Sequence, residues 1–286
     1  MIKSILKVSL LSIFIACFFS CNPFGIQGPE PVFLNITEPE FVFDLEKGPR
    51  NQRIQSVEVF FENFSIGFYE LPAEIAIIPT QEISSLTIFP AIQRNGQITE
   101  FTPYTRMREV TIERNWVIGE TYDITPQFDY KESTIFDYVE TFEDGNSFNF
   151  DGDDIDSTIT ERVDTYAADG NFSCKLSTER GDINAATNFL FTGLSNDNKD
   201  VFMELNYKSD AVVEVGVRLE TTNESLDIPF IFLDSQSDWR KVYLDLSPLF
   251  AQFPAPGYRF YLSMEGPSGE NAREAFFDNI KVLRQE

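Results

Sequence analysis

No histidine occurs anywhere in this 286-residue chain. Its absence removes Ser-His-Asp and Cys-His nucleophilic catalysis, imidazole acid–base chemistry and the usual zinc sites together. Basic residues are also scarce: 22 Lys and Arg stand against 46 Asp and Glu, a net charge of −24. Such a surface, with no basic cluster to offset it, repels phosphate backbones, so nucleic acid is excluded as a partner. Anionic lipid headgroups are repelled for the same reason. There are only 2 Trp, against 29 Phe. After residue 20 no apolar run is long enough to span a bilayer, and no stretch sustains a helical period.

The opening twenty residues are different. Lys3 and Lys7 precede the apolar run Val8–Ser20, and Cys21 follows with Asn22-Pro23 behind it. A basic start, a short apolar core and a small residue before the cut make residues 1–20 a secretory signal. A cysteine just after that small residue resembles the lipobox of bacterial lipoproteins, which implies acylation of Cys21 as the mature N-terminus. Phe18 stands where that pattern usually has Leu, Cys17 is a second candidate, and ordinary signal cleavage is the alternative. Acyl chains contribute roughly 0.8 kcal/mol per buried CH₂ and need no spanning helix. The expectation is a lipid-anchored protein of the outer membrane, on its periplasmic or cell-surface face. Asn22, rather than Asp, does not match the inner-membrane retention signal of some bacteria.

Residues 21–31 are rich in Pro and Gly and read as a tether. Once the signal is gone, Cys174 is left without an intramolecular partner, so no disulfide forms within the chain. In Phe-Ser-Cys-Lys-Leu-Ser it alternates as a strand residue does, which reads as a small buried hydrophobe.

The remaining length reads as β-structure, enough for two domains that each bury a core. In residues 32–131, strands are expected at Gln55–Phe61, Phe68–Leu71, Ser85–Ile92, Ile98–Thr102, Glu109–Glu113 and Thr121–Thr125. Asn63–Gly67 is read as a turn, and Asn95-Gly96 as a type I′ hairpin turn. Residues 134–286 carry eight or nine further strands, among them Asn171–Thr178, Thr187–Thr192 and Val201–Tyr207. The single short helical candidate is Ser247–Gln252. That pattern implies a jelly roll of two packed sheets, docked closely on the first sandwich because the junction Tyr130–Ser133 is short.

Glu140-Thr-Phe-Glu-Asp-Gly145, Asp169-Gly-Asn-Phe-Ser173, Asp238–Ser247 and Phe276-Phe-Asp-Asn-Ile-Lys-Val282 together resemble the carbohydrate-binding-module class of jelly rolls. Val57–Pro72 resembles the immunoglobulin-like modules of surface lipoproteins. The fold implied is all-β, an N-terminal immunoglobulin-like sandwich followed by a C-terminal jelly-roll sandwich. The same two-part layout resembles outer-membrane lipoproteins of glycan-using bacteria.

In the resembled class the first and last strands are neighbours and hold a structural Ca²⁺. The resemblance places that ion at Glu143 and Asp278, with Asp144 as a spare and carbonyls from the Gly170–Ser173 turn. A solvated acidic edge capped by Lys or Arg is the alternative. Asp151-Gly-Asp-Asp-Ile-Asp156 lacks the EF-hand order and reads as a solvated loop. Alternation turns Arg218, Tyr243, Arg259 and Tyr261 outward, and they line one concave ligand face if their strands share a sheet; ordinary sheet surface is the alternative. The resemblance to carbohydrate-binding modules implies that Trp239 packs against the core. Paired carboxylates suited to glycosidase chemistry are always found among 46 acids, so they single out nothing. The reading is a non-catalytic binding protein, for glycan, with the first sandwich as a spacer. The alternative is an accessory or structural subunit of an outer-membrane transport, secretion or motility complex, which the Pro229–Leu233 face suits.

Overall fold

The computed structural model describes residues 28–42, 47–48, 52–97, 101–152, 160–179, 182–194, 200–222, 224–267 and 272–285. The signal segment 1–20, Cys17, Cys21 with its lipidation, most of the tether 21–31 and residues 153–156 of the acidic loop lie outside these.

The first half of the described chain holds ten strands. They are β1 (Val32–Ile36), β2 (Glu40–Phe41), β3 (Ser56–Phe61), β4 (Phe64–Glu70), β5 (Ala73–Ile77), β6 (Ser84–Gln93), β7 (Phe101–Pro103), β8 (Val110–Arg114), β9 (Thr121–Ile124) and β10 (Gln127–Phe128). One sheet runs β5-β1-β9 and the facing sheet β4-β3-β6-β7, with β8 also on β6. Alternation decides which residues go inside. Val57, Val59 and Phe61 of β3 meet Leu34 and Ile36 of β1 and Ile75 of β5 in one core.

Asn95 and Gly96 both have positive φ, 55° and 66°, as a type I′ turn requires, but β6 and β7 pair from Gln93 and Phe101, so the turn lies within a longer connection and does not close a two-residue hairpin. The β3–β4 turn differs from expectation. It is made by Glu62 and Asn63, at φ 50° and 68°, and Phe64 already begins the next strand. Side-chain bonds explain how a glutamate tolerates the left-handed region: its carboxylate accepts the Thr80 amide at 2.9 Å and the Ser84 hydroxyl at 2.5 Å. Those bonds hold the Glu62 carboxyl below the usual range. Strands β1 and β5 were not expected. β1 gains its place by a parallel pairing with β9, nearly ninety residues away, which no local pattern encodes.

The second half forms two larger antiparallel sheets. Its strands are β11 (Thr134–Glu140), β12 (Phe150–Asp151), β13 (Thr160–Val163), β14 (Ser173–Thr178), β15 (Ile183–Ala186), β16 (Val201–Ser209), β17 (Val213–Glu220), β18 (Ser225–Leu233), β19 (Gln236–Asp245), β20 (Gly257–Met264) and β21 (Arg273–Gln285). A six-residue helix, α1 (Ser247–Gln252), joins β19 to β20 and buries Leu249 and Phe250. One sheet is ordered β13-β14-β21-β16-β19, with β11 also on β21, and the other β12-β15-β20-β17-β18. The first and last strands of this half are therefore neighbours. The expected strand Thr187–Thr192 is not formed: the extended residues end at Ala186, and the Thr187 hydroxyl donates to the Phe189 carbonyl at 3.1 Å, turning the chain.

Val213, Val215, Val217, Val242, Leu244, Phe260 and Leu262 fill the space between these sheets, as their alternation implied. Cys174 lies fully inside the same core. Trp239 departs from expectation by staying half-buried outside that core, and its carbonyl accepts Arg53 at 2.7 Å.

The two halves pack directly on each other. Phe136, Phe202, Tyr243 and Leu283, on the outer side of the β13-β14-β21-β16-β19 sheet, belong to the core of the N-terminal sandwich. The Asn95 turn docks on β19: its amide donates to the Tyr243 carbonyl at 2.9 Å, and its side-chain oxygen accepts the Asp245 amide at 2.8 Å. Arg106, fully buried, reaches Gln285 at 2.9 Å and the Asp200 carbonyl at 3.1 Å.

Candidate functional site

Docking leaves the outer face of the β12-β15-β20-β17-β18 sheet as the open face of the C-terminal sandwich. Arg218 on β17 stands directly opposite Arg259 on β20. Two guanidiniums so placed repel each other unless acids intervene, and here they do. Asp227 on β18 binds Arg218 bidentately, at 2.6 and 2.7 Å, and holds its guanidinium fully charged. Arg259 donates to Glu220 at 3.2 Å and to the Thr187 carbonyl at 2.7 Å. Both cations lie over the Phe150 ring, Arg259 at 4.4 Å and Arg218 at 5.7 Å from its centroid. Arg218 also donates to the Gly152 carbonyl at 2.9 Å, which anchors the start of the acidic loop.

Tyr261 belongs to the same face, but not as an exposed stacking surface. It is only 1% exposed, and its hydroxyl donates to Glu214. Burial pushes that hydroxyl up, with Glu214 adding to the effect, so it stays a neutral donor. Its ring lies across Gly216, where a Cβ would sit 2.2 Å from the ring. Glycine at 216 is therefore a packing requirement of the face. Beyond Glu214 and Ser263 the face opens into a hollow of about 410 Å³, edged by Phe232, Val212, Glu265 and Arg273. Phe232 is 62% exposed and pairs across the strands with Glu214.

Tyr243 is elsewhere. β19 lies in the other sheet, and the Tyr243 side chain is buried against the N-terminal sandwich, its ring 4.9 Å from Tyr104 and its hydroxyl bonded to the Gln52 carbonyl. Alternation gave the correct outward direction for Tyr243; strand order, which alternation does not encode, put it in the other sheet. Phe150, Asp227 and Phe232 were missed as members of the open face. Asp227 and Phe232 sat in view in β18, whereas Phe150 lies in a two-residue strand with no period to read.

Beneath the docked interface lies a buried ionic network. Glu204 on β16 and Lys281 on β21 are both fully buried, and Glu204 accepts Lys241 at 2.8 Å and lies 3.7 Å from Lys281. Tyr104 donates to Glu204 at 2.5 Å, and the Tyr130 hydroxyl sits 2.9 Å from the same carboxylate. Gln52 receives both ammonium groups, at 2.9 and 2.7 Å. Burial alone would raise the Glu204 carboxyl, but Lys241 and Lys281 outweigh it and bring it down to about 2. Burial lowers the Lys281 ammonium well below its ordinary range, and attraction to Glu204 offsets only part of that. The network joins residues from both sandwiches, so its role is to fix the interface.

Glu143 and Asp278 converge on one turn. Asp278 Oδ2 accepts the amides of Ala168 and Asp169, at 2.8 and 3.2 Å, while Glu143 Oε1 accepts those of Asn171 and Phe172, at 2.7 and 3.0 Å. The turn thus presents N–H groups to the carboxylates, where carbonyls were expected. Arg162 takes the carbonyl oxygens of Phe142 and Glu143. Those amides hold Glu143 low although burial works the other way. Burial pushes Asp278 up to about 7, with the Glu143 charge adding to it. Asp278 Oδ1 is buried with no hydrogen-bond partner, as is Asn206 Oδ1 on the paired strand. An unpartnered carboxylate oxygen is one ligand of the six to eight that Ca²⁺ takes. Among the described residues no group of three Asp, Glu or Cys surrounds these two oxygens, and Asp144 is not bonded to the turn.

No protein-family model matches this chain, and no curated protein matches it. Solved structures do. A family 30 carbohydrate-binding module aligns at 14% identity over 55% of this chain and 86% of its own, with a TM-score of 0.38. The CBM22-1 xylan-binding domain of Paenibacillus barcinonensis Xyn10C aligns at 12% over 55% of this chain and 98% of its own, TM-score 0.38. A carbohydrate-binding module of the β-sandwich superfamily, described as promiscuous in specificity, aligns at 14% over 90% and 98%, TM-score 0.37. The chain is similar to β-sandwich carbohydrate-binding modules.

Proposed function

We propose that the C-terminal sandwich is a non-catalytic glycan-binding domain, carried on a lipid-anchored outer-membrane protein, with the N-terminal sandwich as its rigid mount. The observation that carries this reading is the open face running from Phe150 through Arg259, Arg218 and Tyr261 to the hollow beside Phe232. Its charges alternate, its donors and acceptors are held by neighbours, and an exposed aromatic ring edges the hollow. Such a surface offers planar, fixed hydrogen-bonding groups and an apolar ring to a neutral polyhydroxylated ligand. Glu143 and Asp278 would hold a Ca²⁺ that ties the 168–172 turn to β21, through the unpartnered Asp278 oxygen. Affinity electrophoresis of the protein through a panel of soluble neutral polysaccharides tests the function; retardation in at least one gel is expected. Cys21→Ser tests the anchor: the variant should leave the membrane fraction or remain unprocessed, and wild-type fractionation would rule the lipid out.

A second reading, a subunit of an outer-membrane complex, draws on the outer face of the β4-β3-β6-β7 sheet. Phe60 and Phe89 meet edge-on at 5.3 Å there, Phe68 and Phe101 stack at 6.2 Å, and Phe68 is exposed. Crosslinking in intact membranes separates the two: a stoichiometric membrane partner supports this reading, and a lone lipoprotein supports glycan binding.

A further inference from the structure

Where the two sandwiches meet, a cleft of about 220 Å³ opens beside the buried network. Neither half makes it alone. Arg53, Gln93 and Phe101 come from the N-terminal sandwich, and Arg240 and Lys241 from β19. In a chain with 46 acids and 22 bases, the charged groups lining it among the described residues are Arg53, Arg240, Lys241 and one acid, Glu70. Lys241 is neutralised by Glu204 beneath it, at 2.8 Å. Glu70 is exposed, so water screens it.

Arg240 is the residue that decides the chemistry. Arg218, Arg259 and Arg284 each clasp a carboxylate. Arg240, half-buried, donates instead to the Gly96 carbonyl at 3.1 Å and toward the Gln93 side-chain oxygen at 3.5 Å. Neutral acceptors orient a guanidinium without cancelling its charge. A desolvated cation in that state gains from a bidentate anion more than a solvated one does. Arg53 is held across the junction by the Trp239 carbonyl at 2.7 Å, so both guanidiniums are positioned before any ligand arrives. Phe101, stacked on Phe68 with 27° between the rings, forms a flat apolar wall beside them.

We propose that this interdomain cleft is an anion site, taking the carboxylate or sulfate of an acidic sugar whose ring lies against Phe101. It is separate from the open face of the C-terminal sandwich, and rests on the glycan reading only for the ring that carries the anion. The volume suits a single sugar-sized unit, so the cleft would read one acidic residue of a longer chain.

Calorimetric titration of the full chain with tetragalacturonic acid, with its methyl ester and with a sulfated carrageenan tetrasaccharide tests the site. At least one acidic probe should bind at least tenfold tighter than the ester, and which one binds distinguishes carboxylate from sulfate. Arg240→Ala should weaken that binding at least tenfold, and Arg240→Lys, which keeps charge but loses the fork, less. Equal affinity for acid and ester, no binding of either acid, or wild-type affinity in a folded Arg240→Ala protein overturns the proposal. If Arg240→Ala does not fold, wild-type affinity in Arg240→Gln overturns it instead. Retardation by neutral polysaccharides, lost in Arg259→Ala and kept in Arg240→Ala, reports on the open face independently.

Discussion

Tyr104 of the N-terminal sandwich donates its hydroxyl to Glu204 Oε1 of the C-terminal sandwich at 2.5 Å. That bond joins elements a hundred residues apart, at a carboxylate that also binds Lys241 and approaches Lys281. The consequence is a shared interior: folding of either half buries groups that only the other half satisfies.

Glu204→Gln should therefore be costly. It leaves two buried ammonium groups without their counter-ion, and breaking a buried pair in this way costs about 3–5 kcal/mol. For a chain of this size that corresponds to a fall of roughly 10 °C in Tm. A scanning-calorimetry melt should show the drop, and a variant within a degree of wild type would mean that the network is not stabilising.

The same carboxyl sets a pH dependence. Its folded value, about 2, lies below the ordinary 4.5. A depressed carboxyl contributes stability that is complete above its unfolded value and is lost as pH falls from about 4.5 through about 2. Denaturant melts of wild type and Glu204→Gln should show a gap that is constant from pH 7 to 5 and narrows below it. A gap unchanged at pH 3 would contradict the assignment of charge to Glu204.

Cys174 lies fully buried, and burial pushes its thiol well above the ordinary range. A thiolate is the reactive form, so the native protein should leave this residue unmodified by a maleimide while guanidinium exposes it. Peptide mapping by mass spectrometry resolves it from Cys17 and Cys21. Rapid native labelling at 174 would contradict the packing of β14 against β21.

The unpartnered Asp278 oxygen carries the ion prediction. A Ca²⁺ bound only by the folded state stabilises it by about 2.7 kcal/mol at a hundredfold excess over its Kd. Chelator should lower the Tm of metal-loaded protein by several degrees, and Asp278→Asn should remove most of that response. Identical melts with and without chelator, on protein loaded by elemental analysis, would leave the turn held by its amides alone.

Alternation was enough to give the β class, most of the strands in the C-terminal half and the inward residues of β17, β19 and β20. It was enough because burial on one face of a strand leaves a period of two in the residues themselves. It also turned Arg218, Arg259 and Tyr261 to the outside. It did not separate Tyr243 from them, because sheet order depends on pairings such as β16 with β19 and β17 with β20 that no short window contains. Glu204 and Lys281 were not distinguished from surface charge for a related reason: they do alternate outward from their own sandwich, and what buries them is the other one. The β3–β4 turn shifted to Glu62-Asn63 because a carboxylate clasped by Thr80 and Ser84 replaced the glycine the local pattern suggested.

The most direct test of glycan binding at the open face is affinity electrophoresis of wild type, Arg218→Ala and Arg259→Ala through gels of neutral polysaccharide. Both substitutions remove donors fixed beside Phe150 while leaving the buried core and the interdomain network untouched. The expected result is retardation of wild type in at least one gel and its loss, or a reduction of at least fivefold in affinity, in both variants. Retardation of both variants equal to wild type, or free migration of wild type in every gel, would contradict it.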